Sequence, residues 1–190
     1  MYYLGVAEFC KDLYNQEDLV DYLRNDDTHV PAGALHRSHG WKEKITDNPV
    51  MNSDVRNLGL IGTADSVPYF KDKKARRGVP FMLRVGNLPP EIQLELRNCH
   101  LVGLLPNEEW LVDEETDKLM RKVKKNSTLY PMLLALADEL NNLYVEGVRC
   151  VDVTRPLDHE ERHFTLRVVL LYWCHAHIAC IVLSYVCTQV

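Results

Sequence analysis

The chain has 190 residues, 46% of them apolar and 26% charged, which is enough length and hydrophobicity for one buried core with extensions. Its formal charge of −5 excludes a global positive field for holding a polyanion, so nucleic-acid contact would have to come from local patches. Six cysteines show no disulfide-framework spacing and Met1-Tyr2-Tyr3 lacks the basic start of a secretory signal, so free thiols in a reducing compartment are expected. In that setting Asn126-Ser127-Thr128 reads as a loop rather than as a glycosylation acceptor.

Residues 2–24 carry Leu4, Phe9, Leu13, Leu19, Val20 and Leu23 at helical spacings, which predicts two short helices joined near Asn15. Residues 25–40 are rich in turn formers and read as a linker, and a short helix is expected from Trp41 to Ile45, before Asn48-Pro49. From Val55 the pattern changes. Leu58, Leu60 and Ile61 with Gly59 and Gly62 predict a strand buried on both faces. Val79 to Leu88 alternates as a second strand, and the Lys- and Arg-rich loop between the two makes an antiparallel hairpin.

Pro89-Pro90 suits the first turn of a short helix, and His100 to Leu105 predicts a third strand stopped by Pro106. Residues 113–125 place acids first and bases last, as a helix dipole favours. Lys118, Arg121, Lys122, Lys124 and Lys125 are read as the end and solvent face of that helix. Leu129 to Glu146 is the longest expected helix, with Pro131 in its first turn, a stripe of Leu133, Leu136, Leu140 and Leu143, and Gly147 as C-cap. Val148 to Val153 is a further strand, and Phe164 to Tyr172 reads as one long strand or as the start of an apolar helix. This order predicts an α/β fold: a partial ribonuclease-H-like core of three antiparallel strands, a helix and further strands, with a helical N-terminal lead-in. The expected division is 1–48 for the lead-in and linker and 49–190 for the core.

Five segments resemble the transposase domain of CACTA-type cut-and-paste transposons. They are Arg56-Asn57-Leu58-Gly59-Leu60 leading to Ala64-Asp65-Ser66-Val67-Pro68-Tyr69-Phe70; Asn87-Leu88-Pro89-Pro90; Leu101 to Pro106; Leu136 to Leu140 with Gly147-Val148; and Phe164 to Trp173. They run in family order over about residues 40 to 173, and five ordered matches are more specific than any one short motif. The resemblance implies a DDE enzyme in which three carboxylates hold two Mg²⁺ ions, activating water and stabilising the leaving 3′ oxygen during DNA cutting.

By that resemblance Asp65 is the first acid, at the end of the first strand; read by itself it is a turn aspartate bonded to its own backbone. Ser66 stands where the family has glycine. The second acid is expected after Trp173, where Cys174-His175-Ala176-His177-Ile178 puts alanine at the aspartate position and isoleucine at the proline position. The chain ends at Val190, ahead of the helix that would bring the third acid. Asp152 and His175 are the candidate substitutes, disfavoured because Mg²⁺ sites demand oxygens strictly in place. The expectation is a truncated or decayed relative without transposition activity, with Mg²⁺ implied by the family but not held productively, no small-molecule substrate, and a nuclear or else cytoplasmic location.

Lys71, Lys73, Lys74, Arg76 and Arg77 crowd the loop after Asp65. Two readings stand side by side, contact with DNA phosphates (or an import signal) and a solvated hairpin tip. Cys174, His175, His177, Cys180 and Cys187 are zinc-ligand types, but their spacing matches no familiar site, and core or strand-end roles are expected. Val168 to Val186 carries no Asp, Glu, Lys or Arg, so a membrane helix and a buried core strand are both readings; the core strand is preferred because His175 and His177 fall mid-span.

Overall fold

The computed structural model describes residues 3–25, 35–64, 67–68, 77–106 and 129–174. Within them the chain is a mixed α/β fold. Two short helices open it, α1 (Val6–Leu13) and α2 (Glu17–Leu23), and a helical turn α3 (His39–Trp41) runs on as a π-turn over Lys42–Thr46. Then come β1 (Leu58–Ala64), β2 (Val67–Pro68), β3 (Arg77–Val85), the short helix α4 (Pro90–Gln93) and β4 (Cys99–Pro106). A long helix, α5 (Leu129–Val145), leads to β5 (Val148–Val151), β6 (His163–Leu166) and β7 (Val168–Cys174).

The main sheet follows from the glycine-and-aliphatic run of β1, which is buried on both faces and therefore suits an interior position. β3 pairs antiparallel to β1 from Leu60↔Val85 to Ala64↔Phe81, and β4 pairs antiparallel to the other edge of β3. β2 continues along the β1 edge of β3. On the far side of β1, β7 pairs in parallel from Leu58↔Val168 to Thr63↔Cys174. The order across the sheet is therefore β4, β3, β1, β7, with three antiparallel strands and one parallel addition.

One face of the sheet carries the larger core. α5 lays Met132, Leu133, Leu136, Leu140 and Leu143 on it, and α1 and α2 add Val6, Cys10, Leu13, Tyr14, Leu19, Val20 and Leu23, all buried. The other face is covered beside β7 by Trp41, Ile45 and Met51, packed with Leu171. Between Leu60 and Ile61 the parallel register slips by one residue of β7, a bulge at Leu171. The slip lets Val168, Leu170 and Trp173 face the larger core while Leu171 faces the smaller one. β1 makes room for both large side chains with glycine: a Cβ on Gly59 would lie 2.7 Å from Leu171 Cδ1, and one on Gly62 2.0 Å from Trp173 Cε3.

The expected helices over 2–24 and 129–146 and the hairpin of the first two strands are present. Three boundaries differ. The second strand stops at Val85 rather than Leu88, because the Gly59 amide, next in line after the Leu60↔Val85 pair, donates to Asn87 Oδ1 (2.9 Å) and the buried Asn87 points inward. The segment after the long helix does not join the main sheet; β5 pairs antiparallel with β6 in a sheet of its own. Finally, Phe164 to Tyr172 is neither one strand nor a helix. It breaks at Arg167, whose amide donates to Asn57 Oδ1 (2.8 Å) and whose carbonyl accepts from Leu58 N (2.9 Å), so the chain changes partner from β5 to β1 there. Gly147 ends α5 at φ +74, where a Cβ would lie 2.6 Å from Thr165 Cγ2 and 2.8 Å from the Leu166 carbonyl.

Among the described residues no helix is long and apolar enough to cross a membrane. The first seven residues of the Val168–Val186 run form β7, and the remainder lies outside the described residues.

Candidate functional site

Strand direction gathers several chain ends at one end of the main sheet. β1 leaves there at Ala64, β3 enters at Arg77, β4 leaves at Pro106 and β7 leaves at Cys174. The C-terminus of α5 meets β6 at the opposite end, beside Thr165 and Leu166. Its 17 residues span about 25 Å, which brings its first turn back toward the same end as the four strand termini.

Of the residues singled out in the sequence, few lie within the described residues. The last parallel pair is Thr63↔Cys174. Asp65 and Ala176 each come two residues later in the sequence, and both lie outside the described residues. So do Lys71, Lys73, Lys74 and Arg76, as well as His175, His177, Cys180 and Cys187. Arg77 is placed by its backbone, opposite Pro68 at the start of β3. Cys174 is exposed at the tip of β7. Just below the tip, Trp173 is buried against Phe81 with ring centroids 5.7 Å apart, and its indole Nε1 is buried without a hydrogen-bond partner.

Among the described residues no group of three or more His, Cys, Asp or Glu side chains could hold an ion. The described residues at this sheet end (Thr63, Ala64, Arg77 to Val79, Leu104 to Pro106, Leu129 to Met132, Trp173 and Cys174) include no carboxylate. Asp65, the carboxylate expected to hold Mg²⁺, lies outside the described residues, and hard cations take oxygen ligands, carboxylates above all.

Asp152 is excluded as a replacement acid by position. It follows β5, is fully buried, and accepts from Arg24 Nη2 (3.0 Å), Thr154 Oγ1 (2.6 Å) and Thr154 N (3.1 Å). The neighbouring Asn25 binds the Val55 and Asn57 carbonyls, just before β1 begins. Asp152 thus stands at the entry of β1, a strand length of about 20 Å from its exit. Burial raises its pKa, yet the hydrogen bonds from Thr154 and Arg24 and the Arg24 charge outweigh burial and hold it below the usual carboxylate value.

Nor are Cys10, Cys99 and Cys150 activated nucleophiles. Burial pushes the Cys150 thiol up to about 12, and raises those of Cys10 and Cys99 as well.

Three of the motif residues carry structural work that sequence reasoning missed. Asn87, almost fully buried, accepts from Gly59 N (2.9 Å) and donates to the carbonyls of Leu23 (2.8 Å) and Asn57 (3.1 Å) and to Asn25 Oδ1 (2.8 Å). Asn57 donates to the Met51 carbonyl (2.9 Å) and accepts from Arg167 N. Together they tie the end of α2, the start of β1, the end of β3 and the switch between β6 and β7. Arg56 adds a second clasp: its guanidinium is held by Asp54 (2.7 Å), donates to the Glu161 carbonyl (2.9 Å) and lies 4.0 Å over the Phe164 ring. The signal available in the sequence was an Asn beside each strand terminus, a residue type that satisfies backbone groups where ladders stop.

No protein-family model, curated protein or solved structure matches this chain.

Proposed function

We propose that the chain is a transposon-derived relative of the CACTA-type transposase catalytic domain, with a ribonuclease-H-like core that no longer cuts DNA and a basic loop that contacts DNA phosphates. The observation that carries this reading is the topology: three antiparallel strands, a long helix, and a later strand added in parallel to the first. That succession agrees with the motif resemblance. The register supports the assignment of ligands, since Asp65 and Ala176 follow the last paired residues of β1 and β7 by equal counts. With alanine at the second position the pair of oxygen ligands that cutting requires is missing. Binding without cutting is what a loop carrying Lys71, Lys73, Lys74, Arg76 and Arg77 would still provide.

The test is titration of labelled duplex DNA with the full chain over a series of salt concentrations, beside the variant in which those five cations are alanine. The native chain is expected to bind at low salt, with affinity falling as salt rises, and the variant to lose binding. Absence of binding at low salt would remove the DNA-contact reading. Nicking of the duplex by the native chain in Mg²⁺ would overturn the loss of cutting.

A further inference from the structure

No further inference is drawn: the strongest candidate, the half-open sheet face of β3 and β4 where Met82, Leu101 and Leu104 flank an Arg84 whose Nε is buried without a partner, is an unpartnered face, and nothing in the structure shows what covers it.

Discussion

Asn87 shows how much one side chain can organise. Its amide uses both ends, taking the Gly59 N–H and donating to the Leu23 and Asn57 carbonyls, all away from water. Each buried polar group left unmatched costs about 1–3 kcal/mol, so Asn87→Ala is expected to lower unfolding stability by about 2–4 kcal/mol, read from the urea midpoint. Asp152 gives a pH-dependent counterpart. Its folded pKa lies below the unfolded value, so its contribution is present above the usual carboxylate pKa of about 4 and is lost as pH falls through the folded value. Asp152→Asn is therefore expected to be less stable than the native chain at pH 7, with the gap closing below about pH 4; paired urea titrations at the two pH values check it. Neither role was legible in the sequence. Asn57 and Asn87 stood out as motif letters, but their work depends on which carbonyls meet in space, and Asp152 looked like a spare acid because nothing local reveals Arg24 beside it.

At the scale of elements, legibility followed periodicity. The stripe of α5 and the punctuation of Pro131 and Gly147 located that helix almost to the residue, and the glycine-flanked aliphatic run located β1. The break at Arg167 was hidden because Phe164 to Tyr172 contains neither glycine nor proline, and a change of strand partner needs none. Also hidden was the bond between helices. α1 has no side-chain cap of its own; Glu139, midway along α5, accepts the Val6 and Ala7 amides (both 2.9 Å) and the Tyr3 hydroxyl. Glu139→Ala is expected to cost about 1–2 kcal/mol and to speed hydrogen exchange at the Val6 and Ala7 amides while α5 stays protected. Unchanged exchange at those two amides would show that the cap is dispensable.

For the whole molecule, the lead-in is part of the core. Seven of its side chains are buried against the sheet and α5, and burying one aliphatic or aromatic side chain is worth about 1.5–3 kcal/mol. Losing seven, about 10–21 kcal/mol in all, is as large as the 5–15 kcal/mol by which a typical domain is stable. A fragment of residues 26–190 is therefore expected to lack a cooperative thermal transition in calorimetry, whereas the full chain shows one. The candidate site is a different matter. The sheet and helices that lead to it were largely readable, since they arise from burial patterns; Asp65 and the cations Lys71, Lys73, Lys74 and Arg76 lie outside the described residues.

The odd residue at Leu171 carries a genetic consequence. In a regular ribbon, losing one codon inverts the sidedness of everything downstream, and the hydrophobic pattern is scrambled. Here the supernumerary position already inserts one inversion, so an in-frame loss of Leu171 would restore simple alternation and keep the Trp173 indole over Gly62, at the expense of the plug above Gly59. The strand holding this tryptophan can thus shorten by a residue without turning inside out.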